Sequence, residues 1–336
     1  MLRCDACSPA GVVRAGADKA YTCTSRALET LEMAPASSLS PLSWRAWAEV
    51  GLFRLAVTYL RPILDALCAA RRFVGWYQRP SFLLVTGEPL GSHARRVNAL
   101  SAIGPPPRGS VRIVCISDTH GHHRHIRQLP SADLLVHCGD ILFESSKHDN
   151  EAAAMRSLLD FSNWIGSFSQ FSHKLVIAGN HDGLLQQLGK ERTQRILSHC
   201  TYLENEAWNG PAGLRVFATP HSQPNSASSP NRAFQLGETA ASALIDSIPP
   251  CDVLITHGPP EGYGDDAAHQ MSGCSKLASK VQQLRPALHL FGHCHQSAGV
   301  SYAGGTCYVN ACVVDVMACP TNPAVVITVG PRTEVG

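Results

Sequence analysis

Lys174-Leu-Val-Ile-Ala-Gly-Asn-His-Asp182 decides how this chain is read. An apolar, partly β-branched run stops at a glycine and gives way at once to an amide, an imidazole and a carboxylate. The same grammar recurs on both sides. Val111-Arg-Ile-Val-Cys-Ile-Ser117 leads into Asp118-Thr119-His120-Gly121, and Asp133-Leu-Leu-Val-His-Cys138 into Gly139-Asp140. Further on, Asp252-Val-Leu-Ile-Thr256 precedes His257-Gly258, and Leu288-His-Leu-Phe291 precedes Gly292-His293-Cys294-His295. Short apolar runs of this kind read as buried strands. Polar groups at the carboxyl ends of strands in an α/β sheet converge on one edge, where such folds build their sites.

The converging groups suit divalent cations. In an extended segment Asp118 and His120 project to one side, a chelating pair. Gly139 permits a tight turn that exposes Asp140, whose two oxygens can bridge two ions. Asn180 offers a neutral carbonyl oxygen, and His181 beside it is free to act on a substrate. His257 ends its strand in the same way. His293 and His295 alternate around Cys294, so both can face the site while the cysteine packs inward. Carboxylate, amide and imidazole donors without thiolate point to Mn²⁺, Fe or Zn²⁺.

The order Asp-x-His, Gly-Asp, Gly-Asn-His-Asp, His, Gly-His-x-His resembles the calcineurin-like metallophosphoesterase superfamily. The nearest branch is that of metallophosphoesterase-domain proteins related to class III cyclic nucleotide phosphodiesterases. Beyond the ligands, Lys174–Asp182, Thr256-His-Gly-Pro-Pro260 and Tyr308-Val-Asn-Ala311 carry the likeness, which covers residues 111–330. The resemblance implies a four-layered α/β/β/α sandwich. It implies two divalent ions, one held by Asp118, His120, Asp140 and His295, the other by Asp140, Asn180, His257 and His293. It implies hydrolysis of small phosphodiesters such as cyclic nucleotides by in-line attack of a metal-bridging hydroxide. His181 would protonate the leaving alkoxide, with Asp182 orienting it. The alternatives are phosphomonoester or nucleic-acid hydrolysis at the same site, or a non-catalytic scaffold. Protein Ser/Thr phosphatases extend Gly-Asp differently and usually carry Glu after Asn-His. Here Ile141-Leu-Phe-Glu144 and Asp182 stand in those places, which argues against that role.

The remaining sequence frames this domain. Net charge is +2 over 336 residues, so no polyelectrolyte partner is implied. Residues 1–110 hold 13 Lys/Arg against 7 Asp/Glu, leaving 15 against 19 for residues 111–336. No basic, aromatic-rich patch occurs in residues 111–336, so no stable nucleic-acid partner is expected. Thirteen scattered cysteines suit reduced thiols in a cytoplasmic protein. Residues 1–42 lack periodicity, and 44–76 read as an amphipathic helix, packed on the catalytic domain or lying against a membrane surface or a protein partner. Gly-Glu-Pro, Gly-Ser-His and Gly-Pro-Pro-Pro within 88–110 read as a linker, placing the domain boundary near 108. Helices are expected over 151–167, 184–197, 238–248 and 275–283. His122, His123 and His125 read as a solvated loop. Residues 219–237 read as a Ser/Asn/Pro-rich loop. Thr219-Pro-His-Ser-Gln-Pro224 is a candidate for the substrate wall, with His221 its residue to test, and the Ser/Asn insertion after it departs from the branch and reads as a lid or plain surface.

Overall fold

The computed structural model describes residues 81–330, apart from 88–89, 92, 144–150, 225–228, 230, 267–272 and 316–317. Its centre is three parallel strands, β3 (Val111–Ile116), β4 (Ala132–Cys138) and β5 (Phe171–Ile177). All six residues of β3 are buried, because both faces of the sheet are covered. Ile113, Cys115, Leu134, Val136, Leu175 and Ile177 face a second sheet. Val114, Ile116, Leu135 and Val176 alternate with them and face helix α1 (Glu151–Gly166) through Leu158, Phe161 and Ile165. Burial on two sides explains why these runs are continuously apolar rather than alternating. Each such aliphatic side chain withdrawn from water contributes about 1.5–3 kcal/mol.

The first sheet continues through β1 (Phe82–Thr86), β2 (His93–Val97), β6 (Thr201–Tyr202) and β13 (Ala324–Val329), in the order β2-β1-β13-β3-β4-β5-β6. The second contains β7 (Glu206–Asn209), β8 (Arg215–Thr219), β9 (Val253–Thr256), β10 (Leu288–Phe291), β11 (Gly299–Ala303) and β12 (Thr306–Asn310). Their order is β11-β12-β10-β9-β8-β7. Its outer face packs Phe217, Leu254, Phe291 and Tyr308 against Ile245 and Ile248 at helix α4 (Glu238–Ser247). Leu277 and Val281 of helix α5 (Ser275–Leu284) complete that layer. The four-layered α/β/β/α architecture expected from the sequence is therefore the one observed.

Several expectations need correction. The strands Phe82–Thr86 and His93–Val97 belong to the first sheet: β1 pairs with β13 in parallel and with β2 in antiparallel register. The sheet thus begins well before residue 108, and part of the supposed linker is its edge strand. The turn residues around these strands concealed them. The helix expected over 184–197 is two short helices, α2 (Gly183–Leu188) and α3 (Lys190–Ile196). Gly189 separates them with φ 73°, a left-handed value that glycine adopts without strain. The helix expected over 44–76 lies outside the described residues. Among the described residues no helix is long and apolar enough to cross a membrane. Among the described residues eight cysteines are free thiols, seven of them buried, but Cys319 is disulfide-bonded, which departs from the expectation of reduced thiols throughout.

Candidate metal centre

Five loops deliver the candidate ligands, each leaving the carboxyl end of a strand: β3, β4 and β5 from the first sheet, β9 and β10 from the second. Asp118 and His120 do not meet by strand alternation, as expected, but by backbone turning. Their φ values are 55° and 44°, and Asp140 (56°) and His293 (71°) share that left-handed conformation. Such a conformation costs a non-glycine residue about 1–2 kcal/mol. Backbone pairing between the loops holds them there: Asp118 N–H donates to Gly139 O (3.0 Å), His120 N–H to Asp140 O (3.1 Å) and Gly121 N–H to Ile141 O (2.8 Å). Strain concentrated on four of seven candidate ligands is the kind functional sites retain.

The glycines of the motifs are needed for space. A Cβ on Gly179 would overlap the Asp140 carboxylate and the His257 ring, and one on Gly292 would overlap the Asp118 carboxylate. The sheet edges bring loops so close that only hydrogen fits between ligands.

The donors form overlapping groups. Asp118, His120 and His295 place one donor atom each within 4.8 Å of the others, as do Asp140, His257 and His293. Asp140 links the two sides: its Oδ2 lies 3.8 Å from His120 Nε2, and its Oδ1 3.3 Å from His257 Nε2. Asn180 Oδ1 completes the second group, 2.9 Å from His257 Nε2 and 2.8 Å from His293 Nδ1. On the first side His295 Nε2 lies 3.2 Å from Asp118 Oδ1 and 3.1 Å from His120 Nε2.

Three histidines are oriented from behind by main-chain carbonyls. His120 Nδ1 donates to Leu142 O (3.1 Å), His257 Nδ1 to Cys138 O (2.8 Å) and His295 Nδ1 to Asp315 O (3.2 Å). A histidine that gives one N–H to a carbonyl presents the lone pair of the other nitrogen, the arrangement metal-binding histidines use. Behind Asp118, the Cys312 thiol donates to Oδ2 (3.0 Å), and His293 N–H also reaches that oxygen (3.0 Å).

Electrostatics make this a centre short of positive charge. Burial would raise the Asp118 carboxyl, but the hydrogen bond from His295 and the neighbouring imidazoles hold it well below the usual range. Asp140 is likewise pulled down against its burial, by His257 and then His181. Among the described residues the ion-pair partners of these two carboxylates are histidines. Burial, then His181, depresses His120 to about 3, and burial, then His257, depresses His293 to about 3. Burial opposes protonation of His257 too, but Asp140 and Asp118 overcome it and raise the ring to about 9. His295 is raised as well, by Asp118 against its burial. Two buried carboxylates that draw protons onto two of the imidazoles around them form a donor set that fits divalent cations, which would take the place of those protons.

The two residues expected to act on substrate divide. His181 is beside the centre: its Nε2 lies 4.0 Å from Asp140 Oδ2, its N–H donates to Asp140 Oδ1 (2.9 Å), and its Nδ1 donates to Phe143 O. Asp182 does not orient it. Both Asp182 oxygens accept main-chain N–H groups, from Gly179 (2.8 Å), Leu142 (2.8 Å) and Ile141 (3.2 Å). Burial, then Asp140, raises this carboxyl to about 7 against the pull of those three donors. Asp182 is a tie between the loops carrying Asp140 and Asn180.

Other expectations shift as well. His122 and His123 are buried, not solvated; His123 pairs with Asp160 (2.9 Å) and packs on Phe161 and Trp164. His221 is buried, with Nδ1 donating to Phe234 O (3.3 Å). Sequence reasoning missed Cys312 and the carbonyls of Cys138, Leu142 and Asp315. The thiol adjoins Tyr308-Val-Asn-Ala311 and was within reach of notice. The carbonyls were not, since any residue type supplies one.

The family model for calcineurin-like phosphoesterases matches residues 111–297. Metallophosphoesterase domain-containing protein 1 of Homo sapiens is 33% identical over 264 residues, covering 70% of this chain and 76% of that protein. A UPF0046 protein of Caenorhabditis elegans is 34% identical over 229 residues, covering 61% and 76% respectively. A solved structure from Thermus thermophilus aligns over 66% of this chain and all of its own, at 13% identity and a TM-score of 0.43.

Proposed function

The chain belongs to the calcineurin-like phosphoesterase family and is a metal-dependent phosphoesterase, and on that premise we propose that it hydrolyses small phosphodiesters, cyclic nucleotides among them. The observation that carries the proposal is Asp140, a buried carboxylate with one oxygen toward each group of donors. Asp118, His120, Asp140 and His295 would hold one divalent ion and Asp140, Asn180, His257 and His293 the other, Mn or Fe in preference to Zn. Two such ions supply an activated water and neutralise charge on the phosphoryl oxygens. The chain's own groups do the rest. The Gly179 and Gly292 approaches fix donor spacing, and the carbonyl-tied histidines keep their lone pairs aimed. Asp140 Oδ1 also accepts the main-chain N–H of His181, and that ring's Nε2 lies 4.0 Å from Asp140 Oδ2. His181 Nε2 delivers a proton to the departing alkoxide. A diester suits this setting because it carries one negative charge, and the Asn180 amide and the His221 ring, whose protonation burial opposes, offer uncharged polar groups.

The test is hydrolysis of bis(p-nitrophenyl) phosphate by metal-stripped protein, with Mn²⁺, Fe²⁺, Zn²⁺ or Mg²⁺ restored. Asp140→Ala serves as the control, and cyclic AMP and p-nitrophenyl phosphate follow as comparison substrates. Metal-dependent turnover of both diesters, lost in Asp140→Ala, is the expected result. Preference for the monoester overturns the diester assignment, and no turnover with two ions bound leaves a metal-holding scaffold.

A further inference from the structure

We propose that Asn231, in the loop between β8 and helix α4, is a positioning residue that holds His181 over the centre. The inference rests on the phosphoesterase reading and on His181 as donor to the leaving group. Its basis is a set of contacts between residues 231–234 and the metal-bearing loops. Asn231 Nδ2 lies 3.3 Å from His181 Nε2. The preceding ligand candidate is tied to the same segment twice: Asn180 Nδ2 donates to Asn231 O (3.3 Å), and Ala233 N–H donates to Asn180 O (3.1 Å). On the far side, His221 Nδ1 donates to Phe234 O, and Gly258 N–H donates to His221 O (3.1 Å), one residue after His257. The segment therefore bridges the loop after β5 to the loops after β8 and β9.

Within that bridge the His181 ring is held at both nitrogens, by Phe143 O at Nδ1 and by the Asn231 amide at Nε2. Two contacts in the ring plane set its rotation, which one contact would leave free. An amide suits the second contact because it carries a donor and an acceptor. Its NH₂ can donate to Nε2 and, turned over, its carbonyl oxygen can accept from Nε2–H. An aliphatic side chain can do neither. Asn231 thus keeps Nε2 near the shared carboxylate, 4.0 Å from Asp140 Oδ2, where a leaving oxygen needs its proton.

The test compares two diesters that differ only in leaving group, ethyl p-nitrophenyl phosphate and ethyl phenyl phosphate, hydrolysed by the Mn²⁺-loaded full chain. Proton donation matters most for the poorer leaving group, phenolate. Asn231→Ala and the near-isosteric Asn231→Leu should each lower kcat on the phenyl ester about tenfold more than on the nitrophenyl ester, a part of the roughly 10²–10⁴-fold that a positioned proton donor contributes. KM and metal content should be unchanged, and His181→Ala should show the same selective loss. Equal losses on both esters, or metal lost from both variants, would mean a purely structural role and overturn the proposal. Selective loss in His181→Ala with none in the Asn231 variants would overturn it while sparing the functional reading. Absence of selectivity in His181→Ala would overturn both.

Discussion

Removing the Asp182 carboxylate should loosen the centre without touching a metal ligand. Its oxygens accept three main-chain N–H groups, at 2.8 Å from Gly179, 2.8 Å from Leu142 and 3.2 Å from Ile141, and the side chain is fully buried. Alanine there orphans all three donors. A buried donor without a partner costs about 1–3 kcal/mol, so Asp182→Ala loses about 3 kcal/mol at the low end. For a domain of this size that lowers Tm by roughly 6–12 °C. Asparagine keeps one oxygen for Gly179 and Ile141 but turns its NH₂ toward the Leu142 N–H, so Asp182→Asn loses less than Asp182→Ala. The carboxyl also predicts a pH signature in the metal-free protein. Its ordinary value of 3.8 rises to about 7 on folding. Between those values the folded state keeps a proton the unfolded chain has released, so stability falls as pH rises through that window. Asp182→Asn lacks the group and should lose that part of the slope. The assay is urea denaturation of metal-free protein followed by circular dichroism from pH 4 to pH 8. An Asp182→Ala variant as stable as the parent, or an Asp182→Asn variant with the parent's pH slope, would refute the reasoning.

Three other outcomes follow from the same geometry. Gly179→Ala places a methyl group against Asp140 and His257, so the purified variant should bind fewer than two metal ions by plasma emission spectroscopy while keeping its far-UV dichroism. Cys312→Ala removes the thiol 3.0 Å from Asp118 Oδ2. Loss of such a partner behind a ligand weakens metal binding about 10–100-fold, to be read by competition with a chromophoric chelator. Stripping the ions should lower Tm, because two buried carboxylates then keep only histidines as counter-groups. At free metal about 100 times Kd each site contributes about 2.7 kcal/mol; a Tm indifferent to chelation contradicts the centre.

The sequence by itself determined the strands that matter and the residues at their ends. Burial on both faces makes the runs Ile113–Ile116, Leu134–Val136, Leu175–Ile177 and Val253–Ile255 continuously apolar, and the polar residues that follow the strands stand out against that background. Gly179 and Gly292 were visible as motif letters, though the overlap that forbids a Cβ there was not. Tertiary structure decided everything that depends on what lies across a gap. It set Asp118, His120, Asp140 and His293 in left-handed backbone, since loop-to-loop hydrogen bonds between distant segments hold them there. It recruited Phe82–Thr86 and His93–Val97 into the sheet, where strand pairing outweighs their turn-like surroundings. It turned Asp182 from a partner of His181 into a tie for three backbone amides. Asn231 shows the limit most clearly: 51 residues separate it from Asn180, no local pattern marks it, and only the folding of one loop over another brings its amide to His181.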